Sequence, residues 1–238
     1  MNRIVYMCLK NIPRIPGAWF KLCKYAKNPD KYSREEMADH IRYIMKLAVK
    51  SGNINLKVTG TEHFPEEDGF IFYGNHQGMF DAVATLAAIE RPVSAIFKKE
   101  LKDIPFVKQI VAITGSYAMD REDVRQSMEV IMNTAKDVVE KKRNFIIFPE
   151  GTRSKNGNVM GEFHAGSFKS AQKAKCPIVP FAFIDSYHVL DKNGTEPMDV
   201  QLHFLEPIPY EEYKPLKTVE LAALVKERIQ KVIDENTK

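Results

Sequence analysis

The sequence predicts an α/β fold: a largely parallel or mixed sheet covered by helices, with an N-terminal amphipathic helical segment. Three observations predict it. From about residue 53 onward, short apolar runs of β character alternate with longer runs of helical period, the pattern of strands joined by helical crossovers. Before that point the apolar residues recur only at helical spacing. The charge is also uneven: residues 1–50 hold eleven Lys or Arg against four Asp or Glu, and the rest hold 24 against 27. The whole positive excess of a chain of net charge +4 therefore sits in its N-terminal fifth. Two parts follow: 1–52, a basic amphipathic helical segment for membrane association, and 53–238, an α/β domain.

Each element has its own signal. Ile4, Cys8, Leu9 and Ile12 make a short apolar stripe that Pro13, Pro16 and Gly17 interrupt. Trp19, Phe20, Leu22 and Tyr25 follow, interleaved with Lys21, Lys24 and Lys27. Ser33-Arg34-Glu35-Glu36 is a capping-box pattern that starts a helix. Met37, Ile41, Ile44, Met45 and Ala48 give that helix one apolar face, and Gly52 ends it. Strands are predicted at 55–58, 69–73, 93–97, 116–119, 144–148, 177–184 and 200–204. Helices are predicted at 80–90, 104–113, 122–140, 167–175 and 219–234.

Composition narrows the function. A chain of 238 residues, 44% of them hydrophobic, can bury a full core. The best apolar run, 82–89, is far short of the ~20 residues of a spanning helix. Polar residues and prolines follow Met1-Asn2-Arg3, so no secretory signal is read there. The expected location is the cytoplasmic face of a membrane, peripheral or monotopic. Cys8, Cys23 and Cys176 are scattered, which argues against a disulfide framework and against a zinc site. Nucleic acid is not an expected partner, because the basic excess lies in an amphipathic segment and no binding motif is recognisable.

The densest chemical signal is Asn75-His76-Gln77-Gly78-Met79-Phe80-Asp81, between a predicted strand and a predicted helix. Open sheets of this class carry their chemistry at the carboxyl ends of strands. On one continuous helix His76 and Asp81 would stand roughly 140° apart. They can meet if His76 lies on the loop and Asp81 in the first helical turn, where the helix dipole favours a carboxylate. Asp81 would then fix the imidazole tautomer and leave the other nitrogen free to take a proton from a hydroxyl. Taken alone, the pair is better read as a structural histidine beside a helix start, because His and Asp at such spacings are common.

A second signal, Phe148-Pro149-Glu150-Gly151-Thr152-Arg153-Ser154, also follows an apolar strand. Gly151 lets backbone N–H groups approach a ligand, Thr152 offers a hydroxyl, and Arg153 can grip phosphate with two N–H groups. Glu150 could brace Arg153 or hold a substrate hydroxyl. A polar turn with a surface ion pair is the competing reading. Lys98 and Lys99 follow a third strand and Arg121 a fourth, so one sheet edge could gather four cationic or imidazole sites.

These blocks, in this order, resemble the glycerolipid acyltransferase family, and within it the 1-acyl-sn-glycerol-3-phosphate acyltransferases. The resemblance covers residues from about 53 to 185. Asn75-His76 with Asp81 is similar to the catalytic block. Tyr117-Ala118-Met119-Asp120-Arg121 is similar to the second block, and 148–154 matches the third. Pro177, Ile178, Val179 and Pro180 match the fourth, an apolar segment linked to the acyl donor. Lys98-Lys99-Glu100-Leu101 and Ile104-Pro105-Phe106 resemble the stretch between the first two. Gly78 departs from a position where the family often has Ser, and His164 from one where it often has Lys. The resemblance implies acyl transfer from acyl-CoA or an acyl-carrier protein to a lysophosphatidic-acid-like acceptor, with no metal and no cofactor besides the thioester co-substrate. It implies His76 as base, Asp81 as its partner, and Lys98, Lys99, Arg121 and Arg153 on the acceptor phosphate.

Other readings remain open on the sequence alone. The same dyad could serve a thioesterase or phosphoesterase, and a different lysolipid could be the acceptor. A non-catalytic lipid-binding protein would have no use for the dyad. Residues 1–52 are expected to lie on an anionic membrane surface, since their stripes mix Trp19, Phe20 and Tyr25 with many Lys. The alternative is that those stripes pack on the α/β domain.

Overall fold

The computed structural model describes residues 1–154 and 156–237. Its strands are β1 (Ile54–Thr59), β2 (Ile71–Gly74), β3 (Val93–Lys98), β4 (Tyr117–Met119), β5 (Asn144–Ile147), β6 (Ile178–Ile184) and β7 (Met198–Phe204). Its helices are α1 (Arg3–Lys10), α2 (Ile15–Lys27), α3 (Arg34–Ser51), α4 (Phe80–Ala88), α5 (Val107–Thr114), α6 (Val124–Glu140), α7 (Lys169–Ala174), α8 (Tyr210–Tyr213) and α9 (Thr218–Asn236). All seven strands lie where the apolar runs place them. Helix α5 starts later than predicted because Phe106, after Pro105, takes a positive φ of 78°, and the helix begins only beyond it. A 3₁₀ turn at Ala165–Phe168 replaces the first turn predicted for α7. Helix α8 is a single turn and leaves no periodic trace.

The strands join in the order β1-β7-β6-β2-β5-β3-β4. Neighbours from β6 through β4 are parallel, β7 runs antiparallel to β6, and β1 runs parallel to β7. The sheet is thus mixed, with five strands pointing one way. That fixes the location of the chemistry: the loops leaving β2, β3, β4, β5 and β6 all emerge at one edge.

Both faces of the sheet are covered, so the central strands are apolar throughout rather than alternating. Ile71, Tyr73, Phe145, Ile147 and Ile178 pack on one side with Leu221, Val225, Ile229 and Ile233 of α9. Phe70, Phe72, Val179, Phe181 and Phe183 pack on the other with Phe80 and Ala84 of α4. Ile178 and Val179 have no exposed surface and Pro180 is buried with them. Ile178, Val179 and Pro180 therefore belong to the sheet interior, while Pro177, just before β6, is half-buried. The apolar character of β6 is that of a strand covered on both faces.

A third cluster joins Leu22 and Tyr25 of α2, Met37, Ile41 and Met45 of α3, Ala87 of α4 and Ile113 of α5. Ser33 caps α3 by accepting the Glu36 N–H at 3.0 Å. Tyr25 donates its hydroxyl to Glu36, and His40 Nε2 meets the Ala18 carbonyl at 3.0 Å. The Met37–Met45 stripe of α3 thus faces protein. Helix α1 is pinned by the buried Arg3, which donates to the carbonyls of Gly52 at 2.5 Å and Glu196 at 3.0 Å. On the outer side of α1 and α2, Ile4, Val5, Leu9, Ile12, Ile15, Trp19 and Phe20 stay exposed, with Phe20 72% accessible. Among the described residues, no helix is long and apolar enough to cross a membrane.

Gly74, the last residue of β2, lies directly under the Phe181 ring, and a β-carbon there would collide with ring carbons. Phe181 is fully buried, so its ring has nowhere to go. Gly74→Ala is expected to lower stability by about 1–3 kcal/mol through overpacking, read from the urea midpoint with an unchanged m value.

Candidate active site

Asp81 lies in the first turn of α4 and has no exposed surface. Its Oδ2 accepts the backbone N–H of Gln77 at 2.6 Å and of Gly78 at 3.0 Å, and meets His76 Nδ1 at 2.7 Å. An ionised Asp81 can only accept, and Nδ1 then carries the proton to its Oδ2. Nε2 is then the acceptor nitrogen. It makes no hydrogen bond among the described residues, and the side chain is 19% exposed. The ring is stacked on Phe148, centroids 4.3 Å apart. An imidazole of fixed tautomer and fixed plane, with one nitrogen open, results.

The loop carrying His76 is held from outside by β6 and by the loop that follows β5. Asn75 is buried and bonds both to the N–H of Phe183, at 2.7 Å, and to its carbonyl, at 2.9 Å. On the other flank the His76 N–H donates to Glu150 Oε1 at 2.7 Å, and the His76 carbonyl accepts the Ser154 N–H at 2.8 Å. Glu150 Oε2 takes the Gly161 N–H at 2.8 Å. Glu150 is 3% exposed, so it neither braces Arg153 nor faces a ligand. Its charge holds two loops together instead. Burial pushes its carboxyl above the ordinary range, with the two backbone donors pulling the other way.

The remaining candidates sit on the same edge. Gly151 takes a φ of +67° and closes a turn by donating to the Phe148 carbonyl at 3.0 Å. A β-carbon on Gly151 would lie 3.2 Å from the His164 ring and 4.0 Å from Arg121 Nε. The guanidinium of Arg121 and the imidazole of His164 therefore flank the Gly151 backbone from the β4 and β5 loops. Burial pulls Arg121 below its ordinary pKa, and Glu100 partly offsets this. Thr152 is exposed beside them. Arg153 pairs with Asp191 at 2.5 Å, Lys98 pairs with Glu100 at 3.1 Å, and Lys99 pairs with Asp120. Such an edge can hold a multiply charged anion beside a general base. Among the described residues no cluster of three or more His, Cys, Asp or Glu gathers as a metal would require.

Sequence reasoning stopped at four strand ends, and the fifth carries what it missed. Ser186, just after β6, donates to Asp81 Oδ1 at 2.5 Å and lies 2.9 Å from Gln77 Oε1. Gln77 also reaches Asn158 at 2.9 Å, which in turn bonds Asp185. This segment packs over Gly78, where a β-carbon would stand 3.1 Å from Tyr187 Cα and 3.2 Å from the Ser186 carbonyl. Glycine at 78 is what lets the loops close. The rule that placed His76 at a strand end applied equally to 185–186.

Ser186→Ala leaves one oxygen of a buried carboxylate without its hydroxyl donor, a loss of about 1–3 kcal/mol. The expected result is a lower melting temperature together with a reduced kcat, since Asp81 positions the base.

The comparisons agree with this architecture. Residues 55–184 match the family model described as Acyltransferase. A protein of Saccharomyces cerevisiae named 1-acyl-sn-glycerol-3-phosphate acyltransferase is 30% identical over 197 residues, which is 81% of this chain and 63% of that protein. A protein of the same name from Borreliella burgdorferi is 26% identical over 196 residues, covering 82% of this chain and 78% of that one. The chain thus spans just under two thirds of the yeast relative's length. The crystal structure of the 1-acyl-sn-glycerophosphate acyltransferase of Thermotoga maritima superposes with a TM-score of 0.73 at 24% identity, covering 86% of this chain and 82% of that one; at that identity it speaks for the fold. The matched stretch begins in β1 and stops at the last residue of β6, so it contains all five strands that point one way together with His76, Asp81 and Arg153, and the chain belongs to the acyltransferase family.

Proposed function

We propose that the protein transfers a fatty acyl group from a thioester donor to the free hydroxyl of a 1-acyl-glycerol-3-phosphate, giving phosphatidic acid. The observation that carries this reading is the dyad: a buried carboxylate fixes Nδ1–H of His76 and leaves Nε2 without a partner, beside an edge lined with cations. Two of the relatives bear the name of this activity. In the proposed reaction Nε2 takes the proton of the acceptor hydroxyl as the oxygen attacks the thioester carbonyl. The C–S bond then breaks, and the proton passes from His76 to the departing thiolate. A thioester is already activated, so the step as proposed uses no metal. Arg121 and Arg153, with Lys98 and Lys99 at the rim, receive the acceptor phosphate, and His76 reaches its hydroxyl. The donor is acyl-CoA or an acyl-carrier protein.

Purified protein given lysophosphatidic acid and each donor in turn tests the reading. The expected product is phosphatidic acid, and His76→Ala lowers kcat by about 100- to 10,000-fold. Free fatty acid released at the same rate without an acceptor would mark a hydrolase and overturn the proposal. Arg153→Ala is expected to raise the acceptor KM and leave the donor KM in place.

The acceptor is an amphiphile, so the site must work at a lipid surface. We propose that the outer face of α1 and α2 rests in the interface of one leaflet. Seven large apolar side chains are exposed there, alongside Lys10, Arg14, Lys21, Lys24 and Lys27. An apolar face with a basic margin suits an anionic surface, each basic group adding about 1 kcal/mol close to it. Because α3 packs on α4 and α5, the proposal concerns α1 and α2 alone, and point substitutions are the fair test. Trp19→Glu with Phe20→Glu is expected to abolish flotation with anionic vesicles while leaving the melting temperature unchanged. Salt should weaken flotation of the unsubstituted protein without abolishing it.

A further inference from the structure

We propose that two copies of this chain pair along the open edge of the sheet, β1 against β1, joining two seven-stranded sheets into one. Strand β1 ends the strand order and has a neighbour on one side only, β7. In a parallel ladder the backbone groups of successive residues face alternate sides. The Asn53 carbonyl accepts the Met198 N–H at 3.0 Å, so the odd-numbered residues of β1 bond to β7. The N–H and C=O groups of Ile54, Leu56 and Val58 therefore point to the open side, where no strand among the described residues meets them. Such a row is a template for another strand.

The side chains specify which strand fits. Ile54, Leu56 and Val58 turn to the sheet face that α4 covers. Ile54 is buried, but Leu56 and Val58 are only half-buried and line a groove of about 900 Å³ beside Val49, Phe64 and Ala88. A second β1, antiparallel and centred on Leu56, sets Leu56 against Leu56 and Ile54 against Val58. All three outward residues of each copy then exchange N–H and C=O groups, and their apolar side chains close on one another. On the opposite face Lys57 of one copy stands beside Asn55 of the other. Asn55 donates to Asp199 at 2.8 Å, so each Lys57 approaches a carboxylate that the other copy's Asn55 holds. A lysine on an edge strand blocks indiscriminate pairing. Here the register that covers the apolar row also gives Lys57 a counter-charge. A slip of two residues in one direction would set Lys57 against Lys57, which is destabilising.

The symmetry of this pair suits a lipid surface. Its two-fold axis stands normal to the sheet, so both copies turn the same sheet face to the same side. The N-terminal helices lie on that face: Met7 of α1 packs with Phe72 and Phe80, and α2 and α3 share a cluster with Ala87 of α4. Both copies can thus rest α1 and α2 on one leaflet. The pairing itself does not depend on the acyl-transfer reading.

Full-length protein in neutral detergent micelles tests this by sedimentation equilibrium and by cysteine trapping. The unsubstituted protein is expected to show a reversible monomer–dimer equilibrium. Asn55→Cys and Lys57→Cys are each made together with Cys8→Ser and Cys23→Ser, since neither native thiol is buried. Residue 55 of one copy stands directly opposite 57 of the other, whereas 55 with 55 and 57 with 57 are diagonal, about 7–8 Å apart and beyond the ordinary span of a disulfide. A mixture of the two variants under mild oxidant should therefore cross-link about tenfold faster than either alone. Leu56→Pro removes an N–H that faces the open edge and none that faces β7, so it should shift the equilibrium to monomer. A protein that stays monomeric at every concentration measured would overturn the proposal. So would equal trapping in the mixed and single samples, since the copies would then meet elsewhere, for example through α1 and α2. A Leu56→Pro protein that folds and still forms the dimer would overturn it as well; if that variant loses its thermal transition, the cysteine pairs decide.

Discussion

Asp81 is a carboxylate with no exposed surface, and most of the site follows from the need to supply it with donors. A buried charge without partners costs several kcal/mol. Here the donors come from three directions: two consecutive backbone N–H groups of its own loop, the imidazole of His76, and the hydroxyl of Ser186. Two adjacent N–H groups can converge on one oxygen only if the loop bends sharply into α4. That bend brings His76 back toward Asp81 although five residues separate them. The His76 imidazole is aligned as a by-product of supplying the carboxylate with donors. Gln77, Asn158 and Asp185 then lock the bend to the β6 loop.

This explains what the sequence reveals and what it does not. The strands are legible because both sheet faces are covered, which makes each strand an unbroken apolar run. The dyad is legible because it lies within seven residues at a strand end. Glu150 is misread, because a glutamate in a polar turn looks solvent-facing. Only the fold brings the N–H groups of His76 and Gly161 onto its two oxygens. Ile178, Val179 and Pro180 read as part of a motif, yet their physics is that of a central strand. Ser186 and Asp191 escape because their partners are about a hundred and about forty residues away. The reversal of β7 is equally silent, since an apolar run does not state its direction.

The N-terminal helices show the same limit and one way past it. Periodicity reveals that a helix has an apolar face and says nothing of what covers it. Two such faces precede residue 53, and they have different fates: that of α3 is buried in a shared cluster, and that of α1 and α2 stays open. Charge distinguishes them. No Asp or Glu occurs before Asp30, and all four acidic residues of the first fifty lie between 30 and 39. Helix α3 opens with Glu35 and Glu36, one of which binds Tyr25. The open face therefore belongs to the stretch of purely basic charge.

The strand-end cations pose the converse problem. Parallel strands deliver Lys98, Lys99, Arg121 and Arg153 to one edge, and like charges gathered there oppose the compact state. The fold answers with carboxylates from neighbouring loops: Glu100 for Lys98, Asp120 for Lys99 and Asp191 for Arg153. These partners differ in how they are held. Glu100 lies on the short turn that follows Lys99. Asp120 is fixed by α6, whose Gln126 side chain accepts its N–H at 2.9 Å and whose Ser127 hydroxyl donates to its carbonyl at 2.7 Å. Asp191 comes from across the site, on the segment that also supports Asp81. The pair that opens toward the dyad is the one between Arg153 and Asp191, because its carboxylate already lies above Gly78. The loop that supports Asp81 thus also supplies the carboxylate opposite Arg153.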